Sequence, residues 1–140
     1  MKKIALIALK PEFFADIKAG KKDVEYRRSF CEHFRGDVYI YVTAPYSRVM
    51  AKFSAKNVYK FTEKGAEKNA LRWFDGLEEE EKDGIVFTAI QNGKLFAIPI
   101  DEFQCLDVPL SLDDFAKKFG VKKRLRMPWN PAELIEVESD

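Results

Sequence analysis

From Asp37 to Lys56 the chain alternates: Val38, Ile40 and Val42 take turns with Tyr39, Tyr41 and Thr43, and Val49, Ala51, Phe53 and Ala55 share a face against Arg48, Lys52, Ser54 and Lys56. Side chains leave a strand on opposite faces with a period of two, so a chain holding two such runs must build a sheet around them. The opening run "KIALIAL" is apolar throughout and reads as a buried strand. Pro11 then starts a short helix, with Phe13, Phe14 and Ile17 at helical spacing and Gly20 as its stop. A further strand is predicted from about Asp23 to Arg28. Short strands with helices inserted between them, and no regular strand–helix alternation, exclude a doubly wound sheet. They point to an α+β fold, a small mixed β-barrel with short inserted helices.

The middle of the chain changes character. Ala66, Ala70, Trp73 and Phe74 mark one face of a predicted helix from Glu63 to Phe74, closed at Asp75–Gly76. The acidic run Glu78–Glu81 suits a helix N-terminus, where carboxylates meet the positive end of the dipole. Residues 84–92 then admit two readings. They are half of a hairpin turning at Asn92–Gly93, or a helix that Gly93 ends. Ser111 and Asp114 have the spacing of a cap for "LDDFAKKF", with Gly120 as the stop. The segment "ELIEVE" near the C-terminus reads as a last strand.

No linker, repeat or low-complexity tract interrupts the 140 residues, so a single domain over 1–140 is expected. A hydrophobic fraction of 46% supports a packed core rather than disorder. No apolar run reaches membrane-span length, and "MKKIALIAL" stops at Lys10–Pro11 without a cleavage site, so no membrane association and a cytoplasmic location are expected. Cys31 and Cys105 lack metal-ligand spacing, and His33, the single histidine, has no Cys or His neighbour. Neither a metal nor a cofactor is implied. The net charge of +1 conceals a division: residues 1–60 hold 13 Lys and Arg against 6 Asp and Glu, and residues 61–140 hold 11 against 17. A positive face on a nearly neutral protein favours polyanions.

The sharpest local feature is "GKKDVEYRR", Gly20 to Arg28. On one strand Glu25 and Arg27 share a face about 7 Å apart. Lys22 has the opposite parity and joins them only if the turn at Gly20 redirects the chain, which a glycine at positive φ permits. The residues Gly20, Lys22, Glu25 and Arg27 spell G-x-K-x-x-E-x-R after a strand and a short helix, and "YIYVTAP" follows as an aromatic strand ending in T-x-P. In this order they resemble the ASCH domain, a member of the PUA-like β-barrel superfamily, over roughly the first 55 residues. "RMPWN" sits where such domains often carry a proline–aromatic segment.

The resemblance implies a cleft lined by the motif's charged residues and a role in RNA or nucleotide handling. It also implies two enzymatic alternatives, a ribonuclease or an amidohydrolase acting on an acylated cytidine nucleoside. In that amidohydrolase subfamily a threonine stands where this chain has Glu25. In a binding cleft Arg27 would grip a phosphate or base edge with its planar fork, Lys22 would add a point charge, and Glu25 would accept from an exocyclic amine. In a metal-independent hydrolase Lys22 and Glu25 would be the catalytic pair. Tyr41 and Trp129 are expected to stack on a base, with Thr43 nearby, and the basic stretch Lys117–Arg126, Arg126 included, to track a phosphate backbone. The expected partner is single-stranded RNA, a nucleotide or a nucleoside. A groove for an acidic peptide is the third expectation.

Overall fold

The structure, a computed structural model, describes residues 2–127 and 132–137. Strand β1 (Lys2–Leu9) leads into helix α1 (Pro11–Lys18), β2 (Val24–Arg27), β3 (Gly36–Val42) and β4 (Arg48–Ala55). Then come a small hairpin, β5 (Tyr59–Thr62) with β6 (Gly65–Ala66), one 3-10 turn (Lys68–Ala70), and helices α2 (Leu71–Asp75) and α3 (Glu79–Asn92). Strands β7 (Lys94–Pro99) and β8 (Asp101–Leu110), helix α4 (Leu112–Phe119) and strand β9 (Glu133–Val137) complete the order.

The α+β class holds, but the barrel does not close among the described residues. The strands form two sheets, one of five in the order β8-β4-β3-β1-β9 and one of four in the order β2-β7-β5-β6. Among the described residues only β1 and β3 run parallel, and the other paired strands are antiparallel. The larger sheet is apolar on both faces, which favours covering layers over closure. One face presents Ala5, Ile7, Val38 and Ile40 to Phe14 and Ile17 of α1 and to Phe96 and Ile98 of the smaller sheet. The other presents Ile4, Leu6, Tyr39 and Tyr41 to Phe115 of α4.

That second layer packs Tyr39 and Tyr41 into the core under α4, whereas Tyr41 was expected to stack on a base. The Tyr39 ring lies 5.2 Å from Phe115 and 5.1 Å from Phe119, and Tyr41 is only 7% exposed in the same apolar cluster. Val49 also leaves the face of Ala51, Phe53 and Ala55: the register shifts between Val49 and Ala51, and Val49 packs on the α4 side. An irregularity of this kind adds one residue to a strand and reverses the side of everything beyond it.

Residues 84–92 are helical, with Gly93 at φ 82° ending α3. Ser111 Oγ accepts from Asp114 N at 3.1 Å, the expected cap of α4, and Gly120 at φ 68° ends it. "ELIEV" pairs antiparallel with β1. The helix expected over Glu63–Phe74 is a correction. Gly65 at φ 111° turns the β5–β6 hairpin there, and helix begins only after it. Ala66, Ala70, Trp73 and Phe74 still bury a common side, as part of the cluster between α3 and the smaller sheet.

A candidate anion cavity at the end of strand β1

Among the described residues strand β2 is an edge strand paired only with β7, and its two faces meet different surroundings. Glu25 and Arg27 sit opposite Ile98 and Phe96, which belong to the core between the sheets. Tyr26 sits opposite Ala97 and belongs to the cluster under α3. The alternation of β2 therefore drives a carboxylate into an apolar seam, and Glu25 is 2% exposed. A buried carboxylate survives there only if cations and hydrogen bonds replace water.

Two cations do so. Arg27 Nη1 donates to Glu25 Oε2 at 3.1 Å, and Lys22 Nζ lies 3.0 Å from Glu25 Oε1. Lys22 thus holds the carboxylate oxygen that Arg27 does not. Lys22 reaches the carboxylate because Gly20, at φ 75°, turns the chain out of α1, with Lys21 N and Lys22 N both donating to Asp16 O. The redirection that the parity of Lys22 required is thus present.

These three residues line a cavity of about 500 Å³ with Leu9, Lys10, Phe13 and Arg28. Its wall carries four basic side chains, Lys10, Lys22, Arg27 and Arg28, against one carboxylate that is already paired. Among the described residues the buried Arg27 Nε–H has no acceptor. The guanidinium is fixed through Nη1 and its side chain stays 17% exposed, so an acceptor that reaches it meets a fork already oriented.

Phe13 supplies an apolar wall, a part that its helical spacing with Phe14 and Ile17 did not single out. Phe14 and Ile17 are buried, whereas Phe13 is 45% exposed, lines the cavity and lies 5.5 Å from Lys22 Nζ. The signal was available: Phe14 and Ile17 are three apart and share a helix face, so Phe13 is turned about a quarter turn away. Lys10, Arg28 and Ser29 also entered the lining without a sequence signal beyond their position beside the motif.

Tyr26 anchors this strand from its other side. Its hydroxyl donates to Glu81 Oε2 of α3 at 2.7 Å. Burial raises its pKa well above the ordinary tyrosine value, helped by the hydrogen bond to Glu81 and by the charges of Glu81 and Asp23.

The remaining expected site residues do not converge here. Tyr41 packs under α4, and Thr43 is near only through its N–H, which donates to Leu9 O at 3.0 Å. Arg126 is exposed, and none of Lys117–Arg126 lines the cavity; Leu125 and Met127 instead anchor that segment in the α4 cluster. Trp129 lies outside the described residues. Among the described residues no group of three or more His, Cys, Asp or Glu is placed to hold a metal, and no helix is long and apolar enough to cross a membrane.

Comparison with solved structures decides the fold. The crystal structure of ASCH from Zymomonas mobilis matches with a TM-score of 0.60 at 22% identity, covering 93% of this chain and 85% of that one. Two mutants of that protein match with TM-scores of 0.62 and 0.57, at 22% and 23% identity, each covering 94% of this chain and covering 89% and 85% of theirs. The chain has the ASCH fold. No family model and no curated protein matches its sequence. Within this ASCH fold, the motif Gly20, Lys22, Glu25 and Arg27 occupies the seam where the edge strand of the smaller sheet meets the end of β1.

Proposed function

We propose that this ASCH-fold protein binds single-stranded RNA or a nucleotide, with a phosphate or carbonyl oxygen seated on Arg27. The observation that carries the reading is a cavity walled by four basic side chains, Lys10, Lys22, Arg27 and Arg28, whose one carboxylate is already paired. Lys10, Lys22 and Arg28 supply the positive potential that draws in an anion, and the exposed ring of Phe13 offers a surface on which a base stacks. The ASCH fold of the Zymomonas mobilis structures is compatible with this reading and does not by itself carry it.

Hydrolysis is the second reading, supported by the 3.0 Å contact between Lys22 and Glu25, which is the spacing of an acid–base pair. It asks more of the site, because a general base must release its cations before it can take a proton, and each oxygen of Glu25 faces one. Binding needs no such rearrangement.

Both readings meet in one experiment. Fluorescence anisotropy with labelled single-stranded RNA, and competition by a mononucleotide, compare the natural protein with Arg27→Lys, which keeps the charge and loses the fork. An affinity loss of about tenfold or more is expected, the scale of one charge-assisted hydrogen bond. Equal affinity removes Arg27 from the site. Chromatography of the same RNA and of acylated cytidine after incubation reads turnover: products that vanish with Lys22→Ala establish the hydrolase instead.

A further inference from the structure

A second basic cavity, of about 690 Å³, lies at the other end of β1. Lys2, Lys3, His33 and Arg35 line it, with Glu32 and Asp37 as its acids. Both acids are engaged by cations from outside the lining: Glu32 by Lys60 at 3.4 Å and Asp37 by Lys52 at 3.9 Å. No such pairing occupies Lys2 or Lys3 among the described residues, and both are exposed. Lys2, Lys3 and Arg35 therefore face two acids that are already paired, with Glu136 of β9 opposite Lys3 in register.

The connection from β2 to β3 joins the two cavities. Because β1 and β3 are parallel, the chain between Arg27 and Gly36 has to travel back along β1, from the end near Leu9 to the end near Lys3. Six strand rises of about 3.3 Å put the cavities roughly 20 Å apart. The connection is fastened from beneath: Phe34 is buried, Phe30 packs edge-on against it at 6.1 Å, and Phe34 N donates to Cys31 O. Arg35 Nη1 clamps the far end by donating to Glu32 O and Phe34 O. With its aromatic residues turned in, the connection leaves Arg28, Ser29, His33 and Arg35 exposed.

We propose that Lys2, Lys3, His33 and Arg35 form a second phosphate subsite, and that a single strand of nucleic acid runs between the two cavities along the 28–35 connection. This inference rests on the nucleotide reading of the motif cavity and narrows it: the ligand is an oligonucleotide, and the single nucleotide is only its anchored part. Exposed cations spaced along a fastened rail suit a backbone with a charge at every unit, and Phe13 favours a base over an acidic side chain at the anchored end.

The test measures anisotropy for a uridine mononucleotide and for single-stranded uridine oligomers of up to about ten nucleotides, with the natural protein and the double variant Lys2→Gln, Lys3→Gln. Affinity is expected to rise with length until the strand spans both cavities. The double variant should lose about tenfold of that gain. Its slope of log affinity against log salt should be shallower by about 1.4, the single-strand value for two phosphate contacts. In the natural protein alone, oligomers should show a steeper salt slope than the mononucleotide.

Oligomers that bind no better than the mononucleotide, or a double variant that keeps the full gain, overturn the second subsite. Displacement of the oligomers by polyglutamate at matched charge assigns the rail to an acidic protein and overturns the nucleic-acid partner. Failure of the motif reading looks different: Arg27→Lys then leaves mononucleotide binding intact.

Discussion

Two stretches of this chain concentrate charge, and they end up in opposite conditions. Between Lys22 and Arg27 a carboxylate is forced into the seam between two sheets, and the cations that follow it are fixed at 3.0 and 3.1 Å. Between Lys117 and Arg126 six positive charges and no acid make a stronger impression in the sequence. There the chain buries Leu125 and leaves Lys122, Lys123, Arg124 and Arg126 exposed, with Lys123 paired to Glu133. The difference lies in desolvation. A charge gains directional value when the fold removes its water and supplies only some of its partners; a solvated charge contributes little beyond general potential.

The sharpest way to break the contrast is Glu25→Gln. It keeps the volume and removes the charge between Lys22 and Arg27. Breaking a buried pair costs about 3–5 kcal/mol, and the partial exposure of both cations brings the expected loss to about 2–3 kcal/mol in denaturant unfolding. A loss within the range of a surface substitution would mean that the seam is wet and the pairing incidental.

A smaller effect is expected from Tyr26→Phe, which removes the bond holding β2 to α3 and should cost about 1 kcal/mol near neutral pH. The pH dependence carries the sign. The Tyr26 pKa is raised in the folded protein, so above about 10, the ordinary tyrosine value, the unfolded chain loses its proton first and stability falls as pH rises. Thermal unfolding across the alkaline range should show a shallower decline in the Phe variant. Equal slopes would place the Tyr26 hydroxyl in water.

Least is expected from the triple variant Lys122→Ala, Arg124→Ala, Arg126→Ala: stability within about 0.5 kcal/mol, and RNA affinity reduced far less than by Arg27→Lys. An affinity loss equal to that of Arg27→Lys would make the solvated segment part of the binding surface and erase the distinction.

Legibility in the sequence followed the same division. The strand carrying Glu25 and Arg27 and the redirection at Gly20 were readable because they depend on parity and on one glycine at φ 75°. Helix α4 was readable from its cap, Ser111 to Asp114. What failed was anything fixed by a distant element. Tyr41 was expected to stack on a base, but α4 covers Tyr39 and Tyr41 with an apolar layer that the strand's own alternation does not announce. Val49 changed sides at a register shift that no residue type announces. Strand β8 has no fully buried residue, and its partly buried side chains divide between two clusters, Phe103 on one and Leu106 and Leu110 on the other, so no single face alternates. The cavity was half legible: Lys22, Glu25 and Arg27 stand in one motif, whereas Lys10 and Phe13 belong to it only because the start of α1 lies beside β2.

The most direct test watches one proton. In a nitrogen-15 spectrum the Nε–H of Arg27, assigned by its loss in Arg27→Lys, is followed while a mononucleotide is added to the natural protein. If Arg27 anchors the ligand, its Nε–H resonance moves with saturation, together with the backbone amides of Lys22 and Arg28, while those of Lys122 to Arg126 stay in place. Saturable binding that leaves the Arg27 Nε–H unmoved would contradict the assignment of this cavity as the binding site.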